Sequence, residues 1–157
     1  MKAIFSALLF CLLSGVSAFS QEAQKFDYFE DVPCDEYLGR MDAAIAHARQ
    51  NPTATTYVLI YEGKARRYNN RTKKTELAFP AYGSAAAKIL SIKNYLSKRN
   101  FPVKRFSFVK AGFRENAAVE IWTVPVGATP PKPTPTITKM KYRKGKAYGF
   151  CTDCCGE

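Results

Sequence analysis

The chain has 157 residues, 24 Lys and Arg against 13 Asp and Glu, and a net charge of +11. That length allows one domain with tails rather than two domains, and the charge favours anionic polymers, headgroups or acidic proteins as partners. Glycine-rich phosphate loops and HExxH-type metal motifs are absent, and no serine or cysteine is tied by a motif to the lone His47, so no catalytic residue, metal or cofactor is expected.

Residues 1–20 have the layout of a secretory signal peptide: Lys2, an apolar run from Ala3 to Leu13, and small residues for cleavage near Ala18 or Ser20. The run falls short of the roughly 20 residues a membrane span needs, and no later segment comes close. The mature protein is therefore expected to be periplasmic or secreted, with no transmembrane segment, and export argues against nucleic acid as its partner. Losing Lys2 takes the charge from +11 to +10.

Phe26 to Glu30 alternates as a short edge strand. Pro33-Cys34-Asp35 reads as a helix start with Asp35 as cap and Glu36 in the first turn. Tyr37, Met41, Ala44, Ile45 and Ala48 then share one face of a helix that Asn51-Pro52 stops. Thr55 to Tyr61 is uncharged and rich in β-branched and aromatic residues, as a central strand covered on both faces would be. The following stretch, Glu62 to Pro80, crowds Lys64, Arg66, Arg67, Arg71, Lys73 and Lys74 together and predicts a solvated loop or hairpin. A second helix enters at Gly83-Ser84, buries Ala85, Ile89, Ile92 and Leu96, leaves Leu90 and Tyr95 outside that stripe, and ends at Lys98-Arg99-Asn100 before Pro102. Phe106 to Val109 and Ala118 to Val124 predict two more strands. Their tight link, with a turn at Gly112 to Asn116, favours an antiparallel pair. From Pro130 to Pro135 four prolines predict an extended spacer, and a basic, cysteine-bearing tail follows. The division expected is 1–20 signal peptide, 21–125 domain, 126–138 Pro/Thr-rich linker and 139–157 tail.

This order predicts an α/β fold of the α+β two-layer sandwich type: a mixed sheet with two helices on one face. Ser84-Ala85, Lys88-Ile89, Ile92 and Tyr95-Leu96, then Phe101-Pro102 and Gly112-Phe113-Arg114-Glu115, resemble the helix, turn and G-x-G-E hairpin of the OmpA-like domain, a periplasmic module that binds peptidoglycan. The likeness covers about Cys34 to Pro125 and implies OmpA-like topology and an anionic cell-envelope ligand. It places the family's ligand-holding arginine at Lys88, and its aspartate near Lys64-Ala65, where this chain has no acid. The run from Gly112 through Trp122 to the Pro-Thr repeat is also similar to a group of exported bacterial proteins without an assigned activity.

Two further groups are functional candidates. Cys34, Cys151, Cys154 and Cys155 form an even set that export directs first to disulfides, with Cys34 joined to one tail cysteine; a redox or metal site centred on the C-terminal CxxCC is the alternative. Lys64, Arg66, Arg67 and Arg71, with the basic tail, could adhere to peptidoglycan or another anionic envelope polymer, or be solvated charge runs. Asn70-Arg71-Thr72 matches the glycosylation tripeptide. Glu62, Glu115 and Glu120 offer no spacing that pairs two as acid and base. The expected function is a non-enzymatic exported cell-envelope binding module that contacts an anionic component through a basic surface; the alternatives are a redox or metal-binding protein centred on the C-terminal CxxCC and a structural or interaction protein with no ligand pocket.

Overall fold

The computed structural model describes residues 21–69 and 71–151. The expected signal peptide, Asn70, Cys154 and Cys155 lie outside the described residues. The elements are β1 (Gln24–Phe29), α1 (Cys34–Gln50), β2 (Thr55–Asn69), β3 (Lys74–Ala78), α2 (Ser84–Lys98), a single 3-10 turn (Val103–Arg105), β4 (Phe106–Asn116) and β5 (Ala118–Val124). They build the two-layer α+β sandwich the sequence predicts.

β2 is the centre of the sheet. Its first half pairs antiparallel with β5, from Thr55 opposite Val124 to Tyr61 opposite Ala118. Over the same residues it pairs in parallel with β4, from Thr56 opposite Phe106, so β4 and β5 must flank it on opposite edges. β1 adds to the far edge of β5. Consecutive strands β4 and β5 therefore do not pair with each other, contrary to the hairpin expected from their short link. The chain instead steps across β2 at Ala117, whose N–H donates to Lys64 O (2.9 Å). Gly63 makes the step possible, because a Cβ there would lie 2.1 Å from the Asn116 carbonyl carbon.

Both helices cover one face. Tyr37, Met41, Ala44, Ile45 and Ala48 of α1 meet Ala85, Ile92 and Leu96 of α2 over Val58, Ile60, Val119 and Ile121 of the sheet. Ile89, placed by its spacing in the buried stripe, is only partly buried against this core. The cap also differs from expectation. Pro33 precedes α1 without a side-chain hydrogen bond, and Asp35 sits inside the first turn, where its charge still suits the helix dipole.

On the other face Leu59, Tyr61, Ala111 and Ala118 form a second buried cluster. The Pro/Thr run lies across it rather than standing off as a spacer. Thr134 N–H donates to the Tyr61 hydroxyl (3.0 Å), and Thr136 and Ile137 donate to Phe113 O (3.0 and 3.2 Å). Extended backbone suits this, since its unpaired N–H groups can meet a strand edge or a hydroxyl. The tail continues round the molecule. Arg143 N–H donates to Pro80 O (2.9 Å), Gly149 lies so close to α2 that a Cβ would be 2.6 Å from Ser91 Cβ, and Cys151 is disulfide-bonded to Cys34 across 117 residues.

Candidate functional site

Where the returning tail crosses the base of the β2–β3 hairpin and the start of α2, it encloses a cavity of about 290 Å³. Four cations line it: Arg66 and Arg67 from β2, Lys88 from α2, and Arg143 from the tail. Two acids line it as well, and both are engaged. Asp31 accepts from the Arg66 backbone N–H and guanidinium. Glu62 accepts from the Ala85 N–H in the first turn of α2 (2.7 Å) and from the Tyr142 hydroxyl (2.7 Å). It thereby caps a helix whose own N-cap, Gly83, has no side chain to do so. The same bond, with some burial, pushes the Tyr142 phenol up to about 12.

The Lys88 ammonium has no hydrogen bond and no ion pair with any described residue. Its Nζ lies 4.9 Å from the centroid of the Phe150 ring, which attracts a cation through its face. Burial pushes its pKa below the ordinary lysine value, with Asp31 and Glu62 opposing. Arg67 also lacks an ion pair among the described residues and sits over the Tyr148 ring, 5.9 Å to its centroid. Burial, then the Arg67 charge, push Arg143 down, the mark of two guanidiniums held near each other. Tyr37 forms another wall. Its side chain is 2% exposed, and its hydroxyl is buried without a hydrogen bond of ordinary geometry to any described residue. Burial raises this phenol, with a smaller opposing effect from nearby Ser91.

The lining has the chemistry an anion would need: positive charge is in excess, and the buried Tyr37 hydroxyl has no hydrogen-bond partner among the described residues. Of the residues singled out from the sequence, Lys88, Arg66 and Arg67 come together here. Lys64 does not; its ammonium rests over the Phe79 ring at 5.3 Å. Arg71 lies at the hairpin tip, on a second depression of about 360 Å³ that shares Arg67 and Arg143 with the first. Cys34 and Cys151, now one disulfide, form part of the cavity wall, so Cys151 is not free to act in a CxxC pair. His47 is structural, with Nε2 2.8 Å from Thr123 Oγ1 and its ring stacked on Phe26 at 4.3 Å.

A second polar centre escaped the sequence reading. Glu120 is 3% exposed on the sheet face away from the helices. It accepts from Lys25 Nζ (3.1 Å), Arg114 Nη2 (2.9 Å) and Trp122 Nε1 (3.1 Å), and Arg114 lies over the Tyr61 ring, 3.6 Å to its centroid. Burial alone would raise its carboxyl; the three donors outweigh that and hold it below the usual carboxylate range. Arg114 Nη2 also donates to Thr134 Oγ1 (2.7 Å), which ties the Pro/Thr run to this buried charge. One acid inside the otherwise apolar strand AVEIWTV was the available signal. Arg143 and Tyr148 had none, because only tertiary docking brings the tail to the cavity.

Comparison with protein families, curated proteins and solved structures finds no significant match to this chain.

Proposed function

We propose that the protein is a non-enzymatic, exported binding module of the cell envelope, and that the cavity beside Lys88 takes an anionic group of peptidoglycan or another envelope polymer. One observation carries this reading: Lys88 holds its ammonium in a cavity with three arginines and has no carboxylate paired to it among the described residues. A partly desolvated, unpaired cation is unfavourable in the free protein, and a bound anion relieves it. The resemblance to OmpA-like modules supports the choice of ligand, since their ligand-holding arginine falls at Lys88.

The test is sedimentation of the mature protein with purified cell wall at rising salt. Binding is expected at low salt and should fade as salt screens the charges. Replacing a cation that hydrogen-bonds an anion removes about 1.5–3 kcal/mol, so Lys88→Gln should weaken binding about tenfold or more. The lowered lysine pKa fixes the pH dependence. Binding needs the ammonium and should decline at a lower pH than an ordinary lysine, about 10.4, would dictate, whereas Lys88→Arg should hold binding through that range. No binding at low salt overturns the proposal.

A further inference from the structure

We propose that the two depressions flanking Arg67 and Arg143 form one groove that binds a linear acidic glycan, an inference that rests on the Lys88 cavity being an anion site. The cavity of about 290 Å³ and the depression of about 360 Å³ share these two arginines, which stand between them and line both. Register gives the direction. Ala65, Arg67 and Asn69 look to one face of the β2–β3 hairpin, Arg66 and Tyr68 to the other. The contact of Arg67 with Tyr148 sets the first face against the tail. The groove therefore runs between hairpin and tail, from Lys88 to Arg71 at the hairpin tip.

Four cations follow this path, Lys88, Arg67, Arg143 and Arg71, and none has a carboxylate paired to it among the described residues. A single anion fits one part of such a row. A chain with a charge on successive units meets the whole of it, and each further unit binds as part of a molecule already held. An anion at the junction also lies where Arg67 and Arg143 are held near each other, which after burial is what pushes Arg143 down.

Acids in the same lining choose among polyanions. Asp31 and Glu62 line the first depression and Glu76 the second. Each accepts two hydrogen bonds from described residues, and a carboxylate has about four acceptor positions. A polyphosphate or a DNA backbone brings no donor for them and sets charge against charge, whereas the hydroxyls of a sugar donate. Tyr148 and Phe79, 42% and 40% exposed on the first depression, offer ring faces that attract the C–H side of a sugar. An acidic sugar carries an anion, hydroxyl donors and a C–H face in one unit.

The experiment is titration calorimetry of the mature chain at physiological salt with digalacturonate, hexagalacturonate, neutral maltohexaose, linear hexaphosphate and hexathymidylate. Hexagalacturonate should bind about tenfold tighter than digalacturonate, with maltohexaose not bound and both phosphate chains weaker. Arg71→Gln, at an exposed position, should bring the hexamer down towards the affinity of the dimer and leave the dimer unchanged, which the extra registers of a longer chain do not produce. Lys98→Gln removes the same charge about 15 Å beyond Lys88 along α2 and should change neither. The groove is overturned, while the cell-wall reading stands on its own assay, if the hexamer does not bind or if Arg71→Gln leaves it unchanged. The same holds if Lys98→Gln weakens it as much, or if hexaphosphate or hexathymidylate binds tighter. A dimer held as tightly by Lys88→Gln as by the wild type overturns the Lys88 site and the groove with it.

Discussion

Glu120 shows how far one residue's environment can depart from its position in the sequence. Neighbouring Val119 and Ile121 face the helices and belong to the main core, so Glu120, one step along a strand, faces the other way. There it is stabilised because Lys25, Arg114, Trp122 and, at 3.4 Å, the Tyr61 hydroxyl donate to it. Lys25 is partly exposed and can return to water, but removing the carboxylate leaves the largely buried Arg114 without its ionic partner, at a cost of about 3 kcal/mol. Glu120→Gln should lower stability at pH 7 by about that amount in urea unfolding. The pH dependence has a definite sign: the folded carboxyl titrates below its unfolded value of about 4.3, so its contribution is present above that pH and is lost as pH falls through the folded value. Wild type and variant should converge in stability once the pH has fallen through that folded value; a gap that stays undiminished down to acid unfolding would sink the assignment. The same logic separates Lys88 from Lys64. Both read from the sequence as cations in a basic region, but Lys88 is desolvated in a cavity, whereas Lys64 lies on the outward hairpin face over Phe79.

At the scale of elements, the helices followed their local patterns; the strand partners did not, and the turn expected at Gly112 to Asn116 is the second half of β4. Tyr37 to Ala48 bury their predicted face because 3.6-residue spacing allows little else for an amphipathic helix. β2 runs on through the charged stretch to Asn69, because alternating cations cost little on a ribbon open to water. The short β4–β5 link was read as a hairpin, the usual outcome, yet Gly63 permits the chain to cross β2 there instead. A methyl at that position overlaps the Asn116–Ala117 peptide at 2.1–2.4 Å, and no rotamer change relieves backbone overlap. Gly63→Ala should therefore destabilise by more than about 4 kcal/mol, or prevent β5 from pairing with β2, as refolding yield and far-ultraviolet dichroism would show. A variant of wild-type stability would mean that the crossing relaxes freely.

For the molecule as a whole, the tail is what converts a basic sandwich into a protein with a cavity. It lies across the outer sheet face at Thr134 to Ile137, passes Glu62 and Pro80, stacks Phe150 on Tyr37 at 4.2 Å, and closes through Cys34–Cys151. In the chain-entropy account a cross-link over about 100 residues stabilises by up to about 4.7 kcal/mol, and measured losses are commonly 2–5 kcal/mol. Cys34→Ser should lower the urea midpoint correspondingly and weaken cell-wall binding, since Tyr148 to Cys151 would lose their tether beside Lys88. Unchanged binding would show that the noncovalent contacts alone hold the wall. By itself the sequence determined the two helices, the central strand, the charge and the pairing of Cys34 with the tail as a class, because periodicity, β-branching and cysteine count are local or compositional properties. Only the tertiary structure decided which strands flank β2, that the Pro/Thr run lies on the sheet, and that Arg66, Arg67, Lys88 and Arg143 share one cavity. Those outcomes depend on where a missing side chain lets backbone cross and on contacts between residues far apart in the chain, which no local pattern encodes.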